Sequence, residues 1–555
     1  MDQFPALLST IASELPSCTD AHRIYDLNVQ LSELGAPLSS NGSDALSLRR
    51  QFISLPATAP TLLNAWRILS ARLEKEDETN LAAREAAAAS ILDKLHRDET
   101  APRPERAGSE VTSQVYEMIV QSARLTRDLL PGVTEAKVVV LPCEPYLRSV
   151  MYRLTTFDRI KDTELIPAHR AILQVLSNLI APVDKVQQEW VEGLWQTYNL
   201  GSREDAVMQR ALDSDDPMTV MSCIMLCINF IRADERLAQS MGSPKLRPLV
   251  AKLLDKIGWY SDAESGSLEE RCFHLGYQLF SMLFHHGLQG SLFDILASPN
   301  EPVTPSQTTL LQLLDGYHHN SEWDAQQPTA STHEAYAFLI PAFHDMATYA
   351  IAAMTPSVAP IEAAQQTLDD DPRLPKVFEA CIVACQCMIT VCLAETEHPS
   401  IEVEGLLQRI RTAKQDQRSF IEVLVDLLRT TEAFIPRVKP FRPNDPTRSE
   451  PDDASGMAGF ATLKRDLVQL AGLLANDDQQ TQNQIRECGG MQVILSMCVT
   501  DDRNPLIREY ALLAVRNLMI NNVANQALIK EMDPVGIVGP DGELREMPAR
   551  MGAKD

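Results

Sequence analysis

Apolar residues recur along most of the chain at the three-and-four spacing of a helix, while strict alternation is almost absent. The stretches at 65–96 (AWRILSARLEKEDETNLAAREAAAASILDKLH), 169–198 and 269–287 each carry an apolar stripe of helical period. The one β-branched run worth noting, KVVVL at Lys137–Leu141, is short and stands between Pro131 and Pro142. Helices without strands predict an all-α architecture. Breaks rich in Pro, Asp and Ser divide it into a helical N-terminal region (1–108), a helical-repeat body (109–436), a Pro/Asp-rich linker or loop (437–456), a C-terminal module (457–533) and a flexible tail (534–555).

The C-terminal module repeats itself. Arg465-Asp466 is echoed by Arg508-Glu509 forty-three residues on, and Ile485-Arg486-Glu487 by Ile529-Lys530-Glu531 forty-four residues on. That spacing falls in the armadillo/HEAT range and predicts a helical-repeat superhelix, an α-solenoid in which each unit buries one face and its neighbour completes the core. Gly489-Gly490 ends one helix and starts the next, and Asp501 or Asp502 can cap the following helix, with Pro505 in its first turn.

Asn517 sits seven residues after Tyr510, four after Leu513 and three after Ala514, so a helix would place all four on one apolar face. Asn178 and Asn229 lie in similar apolar runs. Such an asparagine either bonds neighbouring backbone or lines a recognition groove, because a buried carboxamide needs a partner. All three are therefore candidates for partner binding. Glu509 and Arg516, seven apart on a more polar strip, are either partner contacts or part of a solvated face.

Composition narrows the class. The 555 residues are 45% apolar, enough for extensive cores, and the net charge of −25 argues against coating nucleic acid or an anionic membrane. Basic patches on other proteins are better suited. The N-terminus shows no basic, apolar signal pattern, and eleven scattered cysteines fit reduced thiols, so a cytoplasmic protein is expected. The most apolar stretch, Ala380–Ala394, is shorter than the ~20 residues a bilayer needs and reads as a core helix rather than a membrane span.

Four residues of that stretch, Cys381, Cys385, Met388 and Cys392, share one helical face, and soft sulfur ligands suit Cu(I). Buried cysteine is equally a small core residue, and zinc-type CxxC spacing is absent. The expectation is no metal and no cofactor, with copper handling as the alternative. The adjacent pairs His285-His286 and His318-His319 point apart on a helix and need help from elsewhere to hold an ion. Phosphate loops, dinucleotide fingerprints, HExxH and nucleophile elbows are all missing, which predicts a protein that is not an enzyme.

The segment Leu463–Ile529 resembles the C-terminal domain of ataxin-10, whose fungal relatives also carry a copper-transport name. The resemblance rests on Arg465-Asp466-Leu467, Glu487-Cys488-Gly489-Gly490, the turn Asp501-Asp502-Arg503-Asn504-Pro505, Ile507-Arg508-Glu509, Val515-Arg516-Asn517-Leu518 and Asn525-Gln526-Ala527. It departs at Leu473, where relatives have asparagine. What the resemblance implies is a non-enzymatic armadillo-like scaffold, associated with cytokinesis, septation and cell survival. Its partners are other proteins, and homo-oligomerisation is left open.

Overall fold

The computed structural model describes residues 3–95, 110–181, 188–319, 334–355, 371–397, 404–435 and 460–531, with short pairs at 537–538 and 544–545. The 437–456 linker lies outside the described residues, as does all of the tail except those pairs. Contacts divide the chain into two compact units, Met1–His286 and Gly287–Asp555, a division that falls away from the composition breaks.

In the first unit, helices Ala21–Gly35, Glu110–Leu129, Ile166–Ile180, Pro217–Ala233 and Leu268–His285 pack each against the next. A second layer, including Gln3–Glu14, Thr58–Leu95 and Glu144–Leu154, covers one side of that row. The N-terminal helices join this stack rather than standing apart: Asn28 donates to the Gln114 carbonyl at 3.0 Å, and Trp66 Nε1 to Thr126 Oγ1 at 3.1 Å.

The second unit repeats the plan. Helices Pro305–His318, Leu374–Glu397, Ala461–Leu474 and Ile507–Met519 form one row. Leu339–Met354, Phe420–Phe434, Gln479–Glu487 with Gly490–Ser496, and Val523–Glu531 form the other. Each unit is thus an all-α stack of helical repeats. Helix starts are set by side-chain caps: Thr304 with Gln307 and Ser419 with Glu422 form reciprocal capping boxes, and Asp478 accepts from the Thr481 amide.

Strand content among the described residues is two antiparallel pairs of two residues each. One of them, Lys414–Gln415 with Arg418–Ser419, turns through Asp416 and Gln417 at positive φ. The β-branched run at 137–141 is helical instead, lying in Thr134–Val140 and running into a 3-10 turn. Ala136 and Val140 are one turn apart and both fully buried, so packing overrides the strand propensity of the valines. The 169–198 pattern splits into Ile166–Ile180 and Gln188–Leu200.

Candidate functional site: the C-terminal repeat junction

The helix Ala461–Leu474 is the hub of the C-terminal module. Its Lys464 is fully buried, and the ammonium donates to Glu432 Oε2 and the Ile435 carbonyl, both at 2.9 Å, with Asp501 Oδ2 at 3.7 Å. Asp466 is buried as well; it accepts from Arg465 Nε at 2.7 Å and from Gln386 Nε2, on the preceding repeat, at 3.1 Å. Burial pushes the Asp466 carboxyl above its usual range, and the Arg465 bond opposes that. Asp501 therefore serves the buried lysine and the Arg503 amide rather than capping the next helix. That helix begins at Ile507 with no side-chain cap, two residues beyond Pro505. Sequence pattern alone does not reveal Lys464, because a lysine beside arginine reads as surface.

The next helix lies unusually close. A Cβ built on Gly472 would stand 2.9 Å from the Cα and Cβ of Ala514, so glycine facing alanine is what lets the two helices touch. Asn517 then donates to the Gly472 carbonyl at 3.0 Å, and Gln482 Nε2 donates to the carbonyls of Asn517 and Ala475 at 2.9 and 3.2 Å. Asn522 donates to the side-chain oxygens of Gln482 and Asn483, and Asn525 to the Leu518 carbonyl at 2.7 Å. Gly489, at φ 75°, makes the left-handed break between Gln479–Glu487 and Gly490–Ser496 that its sequence position predicts.

Three candidate asparagines thus have defined places. Asn517 is buried and joins repeats. Asn229 does the same in the first unit, donating to the Ser177 carbonyl at 3.0 Å and its hydroxyl at 2.9 Å. Asn178 is half-buried on the helix carrying Ser177. Glu509 and Arg516 are both exposed.

The face grouping expected for Asn517 needs correction. The buried set on Ile507–Met519 is Ile507, Ala511, Ala514 and Leu518, with Asn517 at its edge; Tyr510 is half-buried and Leu513 exposed. Two overlapping apolar stripes run through this helix, and the one with small alanines goes in because only it fits against Gly472. The other emerges as Glu509, Leu512, Leu513 and Arg516 at i, i+3, i+4 and i+7, a single outward stripe with Leu512 and Leu513 50% and 47% exposed. Leu506 at the helix start is exposed too, as are Val499 and Val523 nearby in sequence.

The apolar helix Leu374–Glu397 is the one described helix long and apolar enough to cross a membrane, and most of that window is buried against its neighbours. Cys381, Cys385, Met388 and Cys392 are all buried on it, where burial pushes the thiols upward. Because the helix is continuous, a rise of ~1.5 Å per residue sets Cys381 roughly 16 Å from Cys392 along the axis. The four sulfurs cannot converge on one ion. In the first unit, a cleft of about 710 Å³ is bordered by Lys161, Arg203, Arg210 and Lys252. Its bases are engaged within the fold: Arg210 bonds Thr155 and the Tyr152 carbonyl, and Lys252 bonds Asp213.

These two-layer stacks, locked by asparagine-to-backbone bonds between repeats, define a helical-repeat protein. Residues 463–555 match the family model described as the spinocerebellar ataxia type 10 protein domain, so the similarity to ataxin-10 proteins lies in this C-terminal module. A Dictyostelium discoideum ataxin-10 homolog is 36% identical over 93 residues, covering 17% of this chain and 15% of that protein. A Saccharomyces cerevisiae homolog is 35% identical over 82 residues, covering 15% of each, and Bos taurus ataxin-10 is 28% identical over 167 residues, covering 27% of this chain and 34% of its own. The matches therefore span well under two thirds of the relatives' length. Among solved structures an engineered protein aligns over 93% of this chain and 99% of its own, at 12% identity and a TM-score of 0.27.

Proposed function

We propose that this protein is a non-enzymatic adaptor of the ataxin-10 type, acting in the cytoplasm to help regulate cytokinesis and septation by holding other proteins. The observation that carries the binding role is the outward stripe Glu509, Leu512, Leu513 and Arg516. Two leucines half open to solvent on one helix, flanked by an acid and a base, suit a partner helix that offers apolar residues between complementary charges. The residues that carry the family resemblance support this reading differently: Asp466, Gly489, Asn517 and Asn525 hold the module rigid behind the stripe. The assignment to cytokinesis rests on the resemblance of residues 463–555 to the ataxin-10 domain.

Full-length tagged protein and the Leu512→Asp/Leu513→Asp variant, each expressed in dividing cells, test the proposal by affinity capture and mass spectrometry. The intact protein is expected to retain septum or cell-cycle components that the variant loses. Capture of none of these by the intact protein, or equal capture by both, overturns the reading.

A further inference from the structure

We propose that Asp315, His318 and Cys387 form a binding site for one zinc-class divalent ion that clamps two neighbouring repeats of the second unit. Asp315 and His318 stand at i and i+3 on helix Pro305–His318, one turn apart on one face. Cys387 approaches from helix Leu374–Glu397, which packs against the first. The ligand atoms of the three side chains all lie within 4.8 Å of one another, the one such grouping of histidine, cysteine and acidic residues among the described residues. His318 and Cys387 are buried.

Three further observations point to a ligand rather than to accidental proximity. The Asp315 Oδ1 atom is buried and accepts no hydrogen bond, which leaves an acceptor desolvated without compensation. His318 Nε2 lies 2.9 Å from Tyr336 Oη, so a hydroxyl behind the ring fixes its orientation, as partners of metal-bound histidines do. Asp466 adds negative charge beside Asp315 from the following repeat.

One oxygen, one nitrogen and one sulfur donor match zinc and its analogues and do not suit Mg²⁺ or Ca²⁺, which take oxygen ligands. Bonds of about 2.0–2.3 Å to a tetrahedral ion would set the ligand atoms roughly 3.3–3.7 Å apart, so the site closes by about 1 Å on binding. Binding replaces the Cys387 thiol proton, which leaves to solvent, and the Asp315 and Cys387 anions then balance the ion's charge. This inference is independent of the docking stripe.

The test uses full-length protein, freed of metal and titrated anaerobically with Co²⁺. The expected result is one equivalent bound with a near-ultraviolet thiolate-to-cobalt band. The band is lost in Cys387→Ser and retained in Cys381→Ser and Cys385→Ser, while Tyr336→Phe weakens binding about tenfold. Zn²⁺ raises the melting temperature of the wild type and of Cys381→Ser, and not of Cys387→Ser. If Cys387→Ser fails to fold, Asp315→Asn, which keeps the thiol and removes a charged ligand, is expected to bind Co²⁺ at least about tenfold more weakly. Absence of saturable binding, a band that survives Cys387→Ser, or one lost equally in Cys381→Ser overturns the proposal.

Discussion

Helices Leu374–Glu397 and Ile507–Met519 occupy the same row of the second unit, and both carry more apolar surface than one face can bury. Their fates differ. The first has row neighbours on both flanks, Pro305–His318 and Ala461–Leu474, so its cysteines, Met388 and Phe378 are all inside. The second packs on Ala461–Leu474 along one flank and shows Leu512 and Leu513 to solvent along the other. Apolar content is therefore a poor guide to burial in a repeat stack. Position relative to the next repeat decides which stripes are core and which remain available to a partner.

The largest test of this contrast truncates one side chain on each helix. Phe378→Ala, which empties a fully buried site beside Phe460, is expected to cost about 3–5 kcal/mol in chemical unfolding, whereas Leu513→Ala should cost under about 0.5 kcal/mol. Comparable losses at the two sites would erase the distinction. Next is the hub between the two helices: Lys464→Met strands Glu432 and the buried Asp501, and should lower stability by about 3 kcal/mol. A variant as stable as wild type would mean the ammonium is dispensable.

Gly472→Ala should cost about 1–3 kcal/mol, since the new methyl meets Ala514 backbone and not a yielding side-chain tip. Pairing it with Ala514→Gly should recover part of the loss, a coupling that a double-mutant cycle reads directly. Among the variants at the repeat junctions the smallest loss is expected for Asn517→Ala, about 1–2 kcal/mol, with Asn229→Ala in the first unit similar. If Asn517→Ala left thermal unfolding unchanged but abolished partner capture, the asparagine would belong to recognition and not to the junction.

Much of the architecture is legible from periodicity. The helical stripes, the repeat near forty-three residues and the left-handed break at Gly489 all follow from local chemistry: residue spacing for faces, absence of a Cβ for positive φ. The buried asparagines are legible in kind, since a carboxamide inside an apolar run must find backbone. Their partners are not, because Gly472 and Ser177 lie forty-five and fifty-two residues away. Leu513 is misplaced by the sequence pattern for a specific reason: Leu512 and Leu513 are neighbours, and period alone cannot say which of two apolar stripes turns inward. The grouping of Asp315, His318 and Cys387 is likewise invisible, since Cys387 reads as one more cysteine of a thiol-rich helix.

What the sequence determined by itself is the class of structure: helical period without alternation, repeated at a fixed interval, and a C-terminal signature of glycine, aspartate and asparagine. Those features act over one to four residues or recur in register, so no distant contact is needed to read them. Tertiary packing alone decided which apolar face is hidden, that Lys464 is buried, and which side chains meet across repeats. Each of those outcomes depends on how closely two helices approach, and here that closeness comes from Gly472 facing Ala514, a pair whose significance exists only once the repeats are stacked.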